Sequence, residues 1–236
     1  MKIFNEEIKK IFEKLQRKHP FSFSKYADGE WAIINGYNIN NGEFNYLNNN
    51  ETEFYRQKLI ESFQFKDLNY YVGISCECCG GQEHFNMKEM SGQDNEHLTF
   101  ANIFVNSNYK FYKENFISEY QNHKVYLIAN KNSQIQNLPF KLEKFYPVEE
   151  TAFIKNYNLI QEIQKENIKN SLFLFCAGPF GNILAHQLFK FNSNNIYLDI
   201  GSTLNPWLQS EAFKRDYYLG NNYFSNMVGA WDQVAE

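Results

Sequence analysis

Several things are scarce in this chain of 236 residues, and each scarcity excludes something. Four cysteines, three of them crowded at Cys76, Cys78 and Cys79, build no disulfide framework at this length and fit a reducing compartment. Proline is rare. No linker rich in Pro, Gly or Ser, no repeat and no shift of charge density divides the sequence, so one α/β domain over residues 1–236 is expected. No run approaches the ~18 apolar residues of a membrane span. The start, Met1 to Lys10, carries charges at Lys2, Glu6, Glu7, Lys9 and Lys10 where a secretory signal needs an apolar stretch. A cytoplasmic protein without an integral membrane segment is expected. Basic charge is short as well. Lys and Arg total 23 against 27 Asp and Glu, a net charge of -4, so no broad basic field exists to attract phosphate backbones. Nucleic acid is not an expected partner.

Three common chemical signatures are missing too. No Gly-x-Ser-x-Gly marks a nucleophile elbow, no G-x-G-x-x-G marks a dinucleotide fold, and no Gly-Lys-Ser/Thr marks a P-loop.

What remains is a globular composition, 43% hydrophobic and 21% charged. A chain of this size buries roughly 70–75% of its unfolded surface, so the core needs no metal or disulfide staple. Aromatic residues reach 18%, with 23 Phe, 16 Tyr and abundant Asn. This bias has two readings. One is codon usage in an AT-rich genome, with the rings filling a core. The other is a surface suited to sugars, whose C–H faces stack on rings and whose hydroxyls pair with amides.

Ile8, Ile11, Phe12 and Leu15 follow helical spacing and predict an opening amphipathic helix that ends near His19 and Pro20. Phe21 to Tyr26 alternates apolar and polar residues as a strand does. Asn35 to Asn50 has the composition of a long loop, and Glu51 to Phe63 reads as a helix. Leu68 to Ser75 is a buried-strand candidate, and Leu98 to about Tyr120 reads as helical. Strands are expected at Lys124 to Ala129, Phe145 to Val148, Ser171 to Ala177 and Ile196 to Ile200, with helices at about Asn156 to Asn170 and Asn182 to Phe191. Short apolar strands alternating with helices predict a Rossmann-like, mostly parallel sheet covered on both faces.

In such sheets ligands bind beyond the carboxyl ends of the strands. Four expected strand ends carry unusual chemistry. At the first, Asp28 and Glu30 flank Gly29, and in an extended segment both carboxylates project to one side. Two hard oxygen donors there suit Mn2+ or Mg2+ on a substrate diphosphate. The same three residues also make an ordinary turn. At the second, Cys76 to Gly81 with His84 has soft ligands but not the usual C-x-x-C spacing, so zinc, a reactive thiol and a packed loop all stay open. At the third, Gly178, Pro179, Phe180 and Gly181 join strand to helix, as a tight turn or as an anion-receiving helix N-terminus. At the fourth, Asp199 precedes Gly201 and Ser202, as a cap or as a base facing an acceptor. Cys176 and His186 read as structural, and His84 and His97 remain open.

The run from Ser22 through Lys25, Tyr26, Ala27, Asp28, Gly29 and Glu30 resembles the opening motif of the bacterial D-type (GT-D fold) glycosyltransferases, an Arg-aromatic-Gly-Asp-Gly-Glu sequence after the first strand. Cys176 to Gly181 and Leu198 to Ser202 are similar to that family's two C-terminal landmarks, and Tyr71 to Ser75 to its second strand. The resemblance implies a nucleotide-sugar site in which Asp28 and Glu30 hold a divalent metal on the diphosphate. Lys25 stands where the family has Arg, keeping the charge without the bidentate fork, and Ala27 replaces its Gly. The Cys76–Cys79 loop lies outside the pattern.

The expected protein is therefore a metal-dependent glycosyltransferase moving a sugar from a nucleoside diphosphate sugar, such as a UDP-sugar, to a glycan or glycoprotein hydroxyl. Asp28, Glu30 and Asp199 are the expected catalytic residues. Lys25, Tyr26, Gly29, Gly73, Ser75, Gly178, Pro179 and Gly181 are the expected substrate contacts, with Asn102, Asn106 and Asn130 added for their amides. Tyr26, Trp31 and Phe180 are expected as walls for a base or sugar. Two other readings compete. One is a metal-dependent phosphoester hydrolase on the same carboxylates, and the other a non-catalytic carbohydrate-binding or assembly protein with a zinc-held Cys loop.

Overall fold

A computed structural model describes residues 3–40, 44–209 and Tyr218. The first half of the chain contains α1 (Phe4–Gln16), β1 (Phe21–Lys25), α2 (Asp28–Ile34), the short antiparallel strands β2 (Ile39–Asn40) and β3 (Asn45–Tyr46), α3 (Glu53–Gln64), β4 (Tyr70–Ile74), α4 (Glu77–Gly80), α5 (Gln82–Ser91) and β5 (Leu98–Phe100). After it come α6 (Tyr109–Phe111), α7 (Ile117–Tyr120), β6 (Val125–Asn130), β7 (Lys144–Val148), α8 (Ala152–Lys155), α9 (Leu159–Glu166), β8 (Leu172–Cys176), α10 (Pro179–Phe191), β9 (Ile196–Asp199) and α11 (Asn205–Leu208).

Seven of the described strands pair in the order β5-β4-β1-β9-β8-β6-β7, every pair parallel. This is the expected Rossmann-like α/β architecture. Because all seven strands run the same way, their carboxyl ends share one edge. The chain lays β1, β4 and β5 outward in one direction, crosses over, and returns to place β9 against β1. The switch point of the sheet therefore lies between β1 and β9, where crevices form in open α/β sheets.

Side-chain alternation divides the core in two. Leu172 and Leu174 of β8 join the cluster under α1 and α6–α7, while Phe173 and Phe175 join the one under α3, α9 and α10. In β1 the same alternation puts Phe21 and Phe23 on the α1 side and Ser22 and Ser24 on the other. The serine face is as dry as the phenylalanine face. Ser22 Oγ donates to the Ala185 carbonyl at 3.0 Å, and Ser24 Oγ accepts from Asn182 Nδ2 at 3.1 Å. Small hydroxyl side chains thus let α10 lie close over the central strand while each serine oxygen keeps a hydrogen-bond partner.

Two expectations change. The run from Leu98 to Tyr120 is not one helix. Leu98, Thr99 and Phe100 pair with Val72, Gly73 and Ile74, and pairing with β4 outweighs their helical spacing. Residues 101–105 are turns, Asn106–Asn108 is a 3-10 helix, and residues 109–120 are helical with a π turn over Tyr112–Phe116, where Tyr112, Phe116 and Tyr120 pack as a ladder of rings. The Asn-rich stretch is also more ordered than a loop, because β2 and β3 pair within it.

Candidate functional site

Lys25 ends β1 and Asp199 ends β9, side by side at the switch point. Asp199 Oδ2 accepts the Lys25 backbone N–H at 3.3 Å, and its Oδ1 accepts the Gly201 N–H at 3.2 Å. The N-terminus of α10 closes over this pair. A Cβ on Gly181 would lie 3.1 Å from Asp199 Oδ1, so glycine is what lets the helix approach the carboxylate. Asn182, one residue on, donates from Nδ2 to the Lys25 carbonyl as well as to Ser24. The Lys25 side chain runs across Gly201, whose φ of 51° and lack of a Cβ make room for it.

Asp199 is only 1% exposed. Burial pushes its carboxyl up to about 7, with a further upward push from Glu30. The Lys25 ammonium and the two backbone N–H groups pull the other way. Its burial and its two backbone partners make it a strut between the two strand ends rather than a group facing an acceptor.

The extended Asp28-Gly29-Glu30 segment is replaced by a helix. Asp28 is the first residue of α2, and two residues along a helix turn about 200°, so the carboxylates do not project together. Asp28 is exposed, whereas Glu30 is 5% exposed and its Oε2 accepts the Ala27 N–H at 3.0 Å. Ala27 has no side-chain acceptor for the N-cap, so Glu30 supplies the reciprocal half of a capping box. Among the described residues no group of three or more His, Cys, Asp or Glu is placed to hold a metal ion. A divalent cation here would draw mainly on water and substrate oxygens, which fits Mg2+ or Mn2+ on a diphosphate better than zinc.

Phe44, which sequence reasoning passed over, joins α2 to α10. Its ring would sit 2.8 Å from a Cβ on Gly29 and 3.3 Å from one on Gly178. The two glycine segments expected at the site are therefore brought together, with a phenylalanine between them.

Other expected contacts lie elsewhere. Tyr26 is fully buried, its hydroxyl 2.7 Å from Ser62 Oγ and its ring against Phe63, because burying the ring outweighs a place in the cleft. Phe180 is also in the core, as is Pro179 at the start of α10. Neither Tyr26 nor Phe180 is a wall. Trp31 is half-buried and donates from Nε1 to Glu83, tying α2 to α5. Gly73 is packed under Phe23 and the Ala101 backbone, and the Ser75 carbonyl is paired with His84 Nδ1 at 2.8 Å. Asn130 Oδ1 accepts the Asn132 N–H, while buried Oδ1 atoms of Asn102 and Asn106 have no partner among the described residues. Cys76 is buried in the α1-side core, and the side chains of Cys78 and Cys79 lie outside the described residues. His97 pairs with Asp94 and stacks on Tyr71. His186 packs on Phe65, and burial lowers its pKa to about 4.

No protein-family model matches the chain, and no curated protein matches it. Solved structures do. One is the domain of unknown function 1792, described as having a distinct glycosyltransferase fold. It matches with a TM-score of 0.59 at 17% identity over 81% of this chain and 76% of that one. Another, described as a new glycosyltransferase of the same domain type from Streptococcus sanguinis, has a TM-score of 0.58 at 14% identity, covering 83% of this chain and 80% of that one. At these identities the likeness is one of fold, and the fold is the D-type one that the motifs resemble.

Proposed function

We propose that this protein is a glycosyltransferase that takes a sugar from a nucleoside diphosphate donor, a UDP-sugar for example, and passes it to a glycan or glycoprotein hydroxyl. One observation carries the reading. On a fold described for glycosyltransferases, the switch point gathers a lysine, an exposed aspartate at a helix start and the glycine-bearing N-terminus of α10. A diphosphate needs cationic and N–H partners, and the lysine and the helix N-terminus offer both at one edge of the sheet.

In this reading Lys25 offsets the charge that develops on the departing diphosphate. Its backbone is fixed by Asp199 and Asn182, so the ammonium meets the leaving group from a rigid strand end. Asp199 is a positioning residue. Asp28 would hold Mn2+ or Mg2+ through its exposed carboxylate, with Glu30 holding the start of α2 beneath it, and the bound ion would supply Lewis-acid stabilisation of the same charge. The α10 N-terminus adds its dipole.

The test is donor-dependent stabilisation. UDP-sugars are expected to raise the melting temperature only with Mn2+ or Mg2+ present, and Asp28→Asn to remove the rise. A panel of nucleotide sugars without any metal-linked shift would overturn the proposal. Phosphate release from a simple aryl phosphate would favour a phosphoester hydrolase instead.

A further inference from the structure

Fixing the Lys25 backbone does not by itself place its ammonium, because a flexible four-carbon stem separates the two. Near its end the stem lies on the backbone of Gly201, where a Cβ would collide with both Cε and Nζ. Gly201 opens a 3-10 turn, Gly201–Leu204, that leads from the end of β9 into α11. Whatever holds this turn therefore supports the ammonium.

The turn is held from two sides. On the sheet side the Gly201 N–H donates to Asp199 Oδ1 at 3.2 Å, and Thr203 Oγ1 donates to the Ile200 carbonyl. On the other side stand two tyrosines. Tyr218 donates its hydroxyl to the Ser202 carbonyl, and Tyr109 donates to the Thr203 carbonyl at 3.5 Å. Their ring centroids are 5.2 Å apart, and Tyr109 stacks in turn on Tyr112. Both are buried in the α1-side core, so the hydroxyls that reach the turn are carried on a packed base.

The Ser202 carbonyl has a second donor, the Asn205 N–H that closes the 3-10 turn. It would stay paired without Tyr218, so removing the tyrosine hydroxyl strands no buried group. What the hydroxyl adds is a fixed position for the residue beside Gly201.

We infer that Tyr218 is a positioning residue of the donor site. By gripping the Ser202 carbonyl it keeps the turn under Lys25, and so aims the ammonium at the diphosphate. The inference rests on the proposed function for the diphosphate, and on these contacts alone for the hold on Lys25.

Two measurements on the full-length protein test it. The first follows the nuclear Overhauser contact between Lys25 Hε and Gly201 Hα by NMR, without ligand. It is expected in the wild type and should weaken several-fold in Tyr218→Phe, which keeps the ring and removes the hydroxyl. The second measures the affinity for UDP, GDP or ADP, whichever binds, by calorimetry with Mn2+. Tyr218→Phe is expected to weaken binding roughly fivefold, the scale of one hydrogen bond, while the melting temperature without ligand stays near that of the wild type. In a Lys25→Ala background the same substitution should change the affinity by less than about twofold, because its effect passes through the lysine. Tyr109→Phe, which loses a longer bond one residue farther from Gly201, should act in the same direction and less strongly, and it takes the place of Tyr218→Phe if that protein does not fold. An unchanged Overhauser contact, an unchanged affinity, or an equal loss of affinity with and without Lys25 overturns the inference. Failure of the wild-type protein to bind any of the three nucleotides overturns the proposed function instead, and the Overhauser contact then decides the hold on Lys25 by itself.

Discussion

Asp199 Oδ2 accepts the backbone N–H of Lys25 at 3.3 Å, so the last residue of β9 holds the last residue of β1 at the one place where the sheet reverses its order of assembly. This bond does two things. It fixes the strand end that carries the lysine, and it commits a carboxylate to a site with almost no water.

That commitment predicts a pH dependence. The carboxyl titrates at 3.8 when exposed and at about 7 in the folded protein, so between these values the folded state holds a proton that the unfolded state has released. Folded stability therefore falls as pH rises through this window, by up to ~1.4 kcal/mol per pH unit from this group. Asp199→Asn imitates the protonated acid. Its melting temperature relative to wild type should rise from pH 4 to about 7 and level off above, as thermal unfolding across pH would read. A difference that is flat with pH would mean the carboxyl is not raised.

Glu30 has two assignable roles, and one substitution pair separates them. As a cap it needs only an oxygen for the Ala27 N–H, which glutamine retains. Glu30→Gln should therefore leave stability almost unchanged, whereas Glu30→Ala should cost about 1 kcal/mol in denaturant unfolding. If Glu30 also holds the cation, Glu30→Gln will lose metal-linked stabilisation by the donor while keeping the fold.

The strands were legible because each is a short apolar run that must be buried on both faces, as Leu172 to Cys176 is. Their parallel order is enough to put the segments that begin at Asp28, Gly178 and Asp199 on one edge. The local conformation at Asp28 was not legible. Asp-Gly-Glu has turn chemistry, and it is helical here because Ile33 and Ile34, a turn or more later, are buried and Glu30 caps the start. β5 was hidden for a similar reason, since its three residues are strand only by pairing with β4. Phe44 carried no local signal at all. A phenylalanine in an Asn-rich stretch looks like any exposed ring until the fold sets it against Gly29 and Gly178.

Gly201 and Lys25 should be energetically coupled. A Cβ at Gly201 would lie 2.8 Å from Lys25 Nζ and closer still to its Cε, and the φ of 51° is itself unfavourable for alanine. Gly201→Ala is expected to cost about 1–2 kcal/mol for the backbone alone, plus the displacement of the lysine. In a Lys25→Ala background only the backbone cost remains. The two changes together should thus destabilise less than the sum of the single ones, which a double-mutant cycle by urea unfolding measures. Strict additivity would mean that the lysine does not lie over the glycine.

Gly29 and Phe44 should show a reversal of sign. Gly29 lies inside α2 and has no positive φ, so helix propensity alone favours alanine there by up to ~1 kcal/mol. Against this, the new Cβ would come within 2.8 Å of Phe44 Cζ, at the buried end of a ring that also contacts Gly178 and Phe153. A ring held on three sides cannot step aside cheaply, and overpacking of this kind costs roughly 1–3 kcal/mol. Gly29→Ala is therefore expected to destabilise the wild-type protein. With Phe44 shortened to leucine the obstruction is gone and the propensity gain remains, so the same substitution is expected to stabilise the Phe44→Leu protein. Thermal unfolding of the four proteins decides it. A Gly29→Ala effect of the same sign in both backgrounds would remove Phe44 from between the two glycines, and with it the contact that sets α2 against the N-terminus of α10.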